Sequence, residues 1–98
     1  MKRIELKVSG DLNYKANIIG ILRTPRDPQS GAGYEEMSHT VNTIVAVESA
    51  DGFVDLSDTE HSEIVDRFKN ARFVSNSPEI YRMIDDIENA ENPTYDAD

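Results

Sequence analysis

The chain begins with apolar and charged side chains in alternation. Ile4, Leu6 and Val8 are separated by single charged residues, which is the two-residue period of a strand with one buried face. The pattern predicts a strand over residues 2–9. The Gly-Asp pair at 10–11 predicts the turn that ends it.

The middle of the chain is rich in β-branched residues, which favour strands. Residues 12–23 and 35–48 therefore read as a second and a third strand, separated by a loop over 24–33 that contains two prolines and two glycines. An Asp-Gly turn at 51–52 leads to a fourth strand over 53–56.

From Ser57 onward the apolar period changes to that of helices. Ser57 and Glu60 have the spacing of a capping box. Ser77 followed by Pro78 is a typical helix start, with serine as the cap and proline in the first helical position. Two amphipathic helices are expected, with a short joint at 73–77. Their apolar positions are Ile64, Val65, Phe68 and Ala71 in the first helix and Ile80, Met83, Ile84 and Ile87 in the second.

These elements predict a single α+β domain over residues 1–92. An antiparallel sheet of about four strands, arranged as a meander, is expected to pack on a C-terminal two-helix hairpin. Residues 93–98 are expected to form an acidic disordered tail. A chain of 98 residues buries only a small core, so a homo-oligomer is also expected.

Charge narrows the range of partners. The net charge is −9, and residues 85–98 carry six acidic side chains and no basic one. Direct binding of a nucleic acid, which needs basic residues along the backbone, is therefore not expected. No apolar run reaches the ~20 residues that span a bilayer. We expect a soluble cytoplasmic protein that binds either a small anion or a basic protein.

Few side chains are candidates for ligand binding, metal binding or catalysis. Arg23 and Arg26 flank the Gly-rich loop, and Arg72 falls on the apolar side of the first predicted helix, where an arginine must snorkel or meet an anion. His39 and His61 are far apart in sequence and no other ligand stands at metal spacing, so no metal is expected. No nucleophile, base and orienting group can be assembled, so neither enzyme activity nor a cofactor is expected.

The joint between the two helices resembles that of many small phage and prophage proteins. The segment Asn-Ala-Arg-Phe-Val-Ser-Asn-Ser-Pro-Glu, residues 70–79, is similar to their Asn-Ala-x-aliphatic stretch followed by Pro-Glu and a helix. Thoeris anti-defence proteins, oligomers that sequester a cyclic ADP-ribose-type signal, are among those that look like this. The resemblance implies a phage-type host-defence antagonist that binds a nucleotide without turnover in the host cytoplasm. Asn70 and Arg72 would occupy the matching joint, and Arg23 and Arg26 would meet the phosphates.

Two other functions remain open. Asp85, Asp86, Glu88 and Glu91 could imitate the phosphates of a nucleic acid, which would make the chain an anti-CRISPR-like inhibitor of a basic host defence protein. A structural or assembly domain without a ligand is the third possibility. The arginines are needed for the first function, and the helix acids for the second.

Overall fold

The computed structural model describes residues 1–27, 29–73 and 75–92 of the chain. The described elements follow one another as β1 (Lys2–Glu5), β2 (Val8–Ser9), β3 (Leu12–Asn13), α1 (Tyr14–Arg23), α2 (Tyr34–Ser49), β4 (Phe53–Leu56), α3 (Asp58–Asn70) and α4 (Pro78–Glu88). The fold is therefore mixed, with four helices and small antiparallel sheets of two strands each among the described residues. The tail expected at 93–98 lies outside them.

The first strand pairs with the last. In the β1–β4 sheet Ile4 lies opposite Val54 and Arg3 lies opposite Asp55, so alternate residues of β1 face the core and the solvent. The strand predicted over 2–9 is interrupted after Glu5, and Val8, expected on its buried face, is 67% exposed in β2. On the outer face Arg3 donates two hydrogen bonds to the Asp55 carboxylate, at 2.8 and 3.0 Å. Its guanidinium also lies 3.9 Å from the centre of the Phe53 ring. This pairing brings residues 2–5 next to residues 53–56.

The predicted turn at 10–11 is present, but it closes a hairpin of only two residues per strand. Gly10 has a φ of +60°, which glycine adopts without strain and which suits the first central position of a type II′ turn. Immediately afterwards the Asn13 side chain accepts a hydrogen bond from the Ala16 backbone N–H at 3.0 Å. Asn13 thereby caps α1 and ends β3.

The four-stranded meander is wrong, because its second and third strands are helices. Within the stretches predicted as strands at 12–23 and 35–48, the structure has α1 and α2. Their β-branched residues lower helix propensity only slightly. Burial of one helical face on distant parts of the chain outweighs that preference. In α1 this face is Tyr14, Ile18 and Leu22, at intervals of four residues.

The core lies where these helices meet the β1–β4 sheet. α1 packs on both α2 and α3, and α3 packs on α4. The side chains that fill this core are Ile4, Tyr14, Ile18, Leu22, Val47, Val54, Leu56, Ile64, Phe68, Met83 and Ile87. The sheet supplies one wall and each helix supplies one apolar stripe.

The two C-terminal helices begin where the sequence predicted. Ser57 accepts from the Glu60 N–H at 3.1 Å, and the Glu60 side chain accepts from the Ser57 N–H at 3.0 Å, which completes the capping box. Ser77 caps α4 and Pro78 is its first residue. The two helices are joined internally by His61, whose Nε2 lies 2.6 Å from the Ile87 carbonyl oxygen.

Tyr14 gives a test of this packing. Burial, reinforced by a 2.7 Å hydrogen bond from its hydroxyl to Asp86, raises the pKa of Tyr14 from 10.0 to about 12. The neutral phenol therefore stabilises the folded state below pH 10, and this contribution is lost as the pH rises through 12.

We expect Tyr14→Phe to lower the free energy of unfolding by about 1–2 kcal/mol near pH 8. The difference from the unmodified protein should shrink between pH 10 and pH 12, as measured by urea denaturation. Tyr81→Phe, at an exposed position, is the matched control. It should change neither the free energy of unfolding near pH 8 nor the dependence of that free energy on pH. A difference that does not depend on pH would contradict the assignment.

Candidate functional site

A cleft opens beside the C-terminal ends of α1 and α3. Its volume is about 760 Å³, within the range of small-molecule sites. Its wall is formed by Ile21, Thr24, Pro25, Arg26, Asp66, Arg67, Asn70, Ala71, Arg72 and Phe73. Three of the four predicted ligand-binding residues, Arg26, Asn70 and Arg72, thus line one cleft.

Arg67 lies at the base of this cleft and is the buried arginine of the fold. Only 6% of its surface is exposed. Its guanidinium donates to the Thr24 carbonyl at 2.6 Å, to the Glu63 carboxylate at 3.0 Å and to the Thr40 hydroxyl at 3.4 Å. A second carboxylate, that of Glu36, lies 3.6 Å away. These contacts compensate the cost of burying the charge.

Arg26 closes one side of the cleft through ion pairs. It donates to the carboxylates of Asp66, at 2.9 Å, and of Glu63. The hydrogen bond to Asp66 contributes most to raising the pKa of Arg26 above its usual value, with Glu63 adding to it against the opposing effect of burial. Arg26 therefore remains cationic, and its donors are shared with protein carboxylates.

Asn70 is the last residue of α3. Its side-chain amide donates to the Asp66 backbone carbonyl at 2.9 Å and to the Asp66 carboxylate at 3.1 Å. Both bonds hold the amide against Asp66, one turn before the end of α3. Asn70 thus orients Asp66, the carboxylate that also binds Arg26.

Arg72 does not lie on the apolar side of α3, where the helical spacing predicted it. The helix ends at Asn70 because Ala71 adopts an extended backbone, with φ −76° and ψ 153°. Arg72 follows in the connecting segment and is exposed. It has neither a hydrogen bond nor an ion pair to any residue in the ranges that the structure describes. Among the arginines of the cleft wall, it is the one without a carboxylate partner in the described part of the chain.

Arg23 is the predicted residue that lies elsewhere. It is the last residue of α1 and pairs with Glu48 of α2 at 2.9 Å, and it does not line the cleft. The sequence placed Arg23 and Arg26 together because both flank one loop. In the structure Arg23 bonds to α2, whereas Arg26 bonds to carboxylates of α3.

Seven of the ten residues that line the cleft were not predicted as ligand-binding, Arg67 and Phe73 among them. Arg67 has the helical spacing of a buried position, three residues after Ile64, and that spacing was the available signal. Phe73 leaves 45% of its surface exposed on the cleft wall. An aromatic residue directly after an arginine at a helix end gives little indication of a binding surface.

The charges in and around the cleft cancel. Arg26, Arg67 and Arg72 contribute three positive charges, and Glu36, Glu63 and Asp66 contribute three negative ones. The cleft also lies at helix C-termini, whose carbonyls favour cations. An anion can therefore enter only beside Arg72 or by displacing a carboxylate from Arg26.

The acidic face of α4 is partly occupied within the chain. Glu88 pairs with Lys69. Asp86 accepts from the Tyr14 hydroxyl and lies 3.8 Å from the ammonium of Lys7. Of the four predicted phosphate-imitating residues, these two already have partners. Asp85 accepts from the Asn89 side chain at 3.1 Å.

The histidines do not form a metal site. His39 is exposed on α2, whereas His61 is buried against α4. Over residues 1–27, 29–73 and 75–92, no group of three or more His, Asp or Glu side chains is arranged to hold a metal ion.

Comparison with protein-family models, with curated proteins and with solved structures found no match to this chain. None of the helices in the described ranges is long and apolar enough to cross a membrane.

The two cleft arginines differ in what they do for the fold. Arg67→Met should lower the free energy of unfolding by about 2–4 kcal/mol, because it leaves Glu63 and the Thr24 carbonyl without their buried donor. Arg72→Ala should change it by no more than about 0.5 kcal/mol, since the side chain is exposed. Urea denaturation of both variants measures this contrast. Equal losses in the two variants would show that Arg67 does not hold the helices together.

Proposed function

We propose that this chain binds a small anionic nucleotide in the cleft at the ends of α1 and α3, without turnover. The observation that carries the proposal is the exposed guanidinium of Arg72, which has no carboxylate partner within residues 1–27, 29–73 and 75–92 and shares a wall with Arg26 and Asn70. Arg72 can donate two parallel hydrogen bonds to one phosphate group, the strong form of this interaction.

A second phosphate would engage Arg26. Its bond to Asp66 lies at the surface, where an ion pair contributes little to stability and can be exchanged at small cost. Asn70 presents an amide beside the same carboxylate. A diphosphate can therefore engage two arginines of this wall, whereas the proposal gives a single phosphate only Arg72.

The exposed Phe73 ring offers a stacking surface for a base. Stacking on an aromatic side chain contributes about 1–3 kcal/mol per base and tolerates different bases. Because Phe73 directly follows Arg72 in sequence, phosphate and base would be bound by neighbouring residues. This combination favours a nucleotide over inorganic phosphate.

Binding without turnover agrees with the composition of the cleft. The wall residues include no histidine, and the Thr24 hydroxyl donates to the Gly20 carbonyl at 3.0 Å rather than to a base. The effect of such a protein depends on its affinity and copy number. The resemblance at residues 70–79 supports a cyclic ADP-ribose-like signal as the ligand and host-defence antagonism of the phage type as the role.

A thermal-shift screen against cyclic nucleotides and ADP-ribose derivatives tests the proposal. A ligand at ten times its dissociation constant should raise the melting temperature of a domain of this size by roughly 5–10 °C. Arg72→Ala should abolish the rise while leaving the unliganded melting temperature unchanged. Arg82→Ala removes the same charge from an exposed position on α4 and should keep the rise.

Phe73→Ala separates the two parts of the ligand. It should weaken binding of a nucleotide and leave binding of inorganic pyrophosphate unchanged. A melting temperature that no compound of the panel raises would contradict the proposal.

The acidic inhibitor is the second candidate, and the exposed face of α4 favours it. Tyr81 and Asp85 are both exposed there, four residues apart on one side of the helix, and tyrosine is among the residue types enriched in protein interfaces. Asp85→Lys should then weaken binding to a basic partner protein by about tenfold or more, and binding should fall steeply with salt. Asp11→Lys, at another exposed position, is the charge-matched control. Binding that is insensitive to both variants and to salt would exclude this function.

A further inference from the structure

An apolar stripe runs along the outer face of α2. It consists of Tyr34, Met37, Val41 and Val45, which we call the α2 stripe. The exposed fractions of these four residues are 85%, 51%, 44% and 54%. Their spacing of three, four and four residues places them on one side of the helix. The opposite side, with Thr40, Thr43 and Val47, is the one that packs into the core.

The stripe belongs to the longest uncharged part of the helix surface. Residues 37–47 contain no Asp, Glu, Lys or Arg, although such residues make up 30% of the chain. An exposed helix in a strongly acidic protein normally carries charges on its outer face. An apolar row without charges is instead typical of a surface that another protein covers.

We propose that a second copy of this chain covers the α2 stripe, with the two α2 helices antiparallel across a two-fold axis at Val41. In this register Val41 meets the partner's Val41, and Met37 meets the partner's Val45, because each lies four residues from the axis. Tyr34 and Glu48 each lie seven residues from the axis, so Tyr34 comes opposite the partner's Glu48. One stripe is thus complementary to itself, as a two-fold interface requires.

Charge determines where a second copy can bind. Two molecules of net charge −9 repel each other, so they can associate only where acidic side chains are missing, and the α2 stripe is such a place. At its end the Arg23–Glu48 pair supplies a cation close to the partner's Glu35, at the start of the partner's α2. A basic partner would gain nothing from the uncharged stripe and would favour the acidic α4.

The exposed area is of the right order for a small dimer interface. From the exposed fractions, the four stripe residues present about 400–500 Å² per copy, which is roughly half of the ~800 Å² that a stable interface buries on each side. Exposed polar neighbours on the same helix, Ser38 and Asn42 among them, would supply the polar rim. The dimer does not involve the residues that line the cleft, so the proposal stands or falls independently of ligand binding.

Sedimentation equilibrium of the purified chain tests the dimer. Between about 1 and 100 µM protein, the mass should rise toward twice the 11.0 kDa of one chain. Val41→Glu places two carboxylates at the axis and should weaken dimerisation by about 100-fold, because like charges in contact are strongly unfavourable. Tyr81→Glu makes the same kind of change on the exposed face of α4 and should leave the mass unchanged.

A charge exchange tests the antiparallel register. Met37→Glu alone should dissociate the dimer, and adding Val45→Lys to the same chain should restore it, because residue 37 of each copy then meets the lysine of the other. Circular dichroism of each variant verifies that the exposed substitutions leave the helices intact. A monomer at every concentration, or a dimer that Val41→Glu leaves intact, would overturn the proposal that a second copy covers the α2 stripe. Failure of the double variant to restore the dimer would overturn the register.

Discussion

The buried guanidinium of Arg67 is the interaction on which the arrangement of the first three helices depends. It extends from α3 to the Thr24 carbonyl just after α1 and to the Thr40 hydroxyl in α2. A buried charge is tolerated only when hydrogen bonds and counter-charges surround it. The ends of α1 and α3 and the middle of α2 are therefore held at fixed separations, and the cleft is the space left between them.

The same network determines how the cleft can act. Carboxylates of the protein already pair with Arg26 and Arg67. Two of the three arginines of the cleft are therefore neutralised before any ligand binds. Arg72 lies outside this network because α3 ends two residues before it, and it has no carboxylate partner among the described residues. Under the proposed function, the affinity for an anion would depend mainly on this exposed side chain and on what packs beside it.

Charge is distributed unevenly over the surface of the protein. Acidic residues concentrate on and after α4, and the outer face of α2 carries no charge over three helical turns. Like-charge repulsion keeps acidic faces of two copies apart, whereas an uncharged face imposes no such penalty. The cleft, the acidic helix and the α2 stripe thus lie on separate parts of the surface, so the proposed anion binding and the proposed dimer would not interfere with each other.

The sequence alone determined the features that depend on neighbouring residues. The capping box at Ser57, the start of α4 at Pro78 and the strand alternation around Ile4 follow from hydrogen bonds and side-chain periods within a few positions. The site was predictable in part, since Asn70 and Arg72 lie in one short segment. Only the tertiary structure decided that residues 14–23 and 34–49 are helices, and that Arg67 rather than Arg72 is the buried arginine. In both cases contacts with residues 20 or more positions away outweighed local propensity. The free energy of such contacts cannot be inferred from the pattern of neighbouring residues.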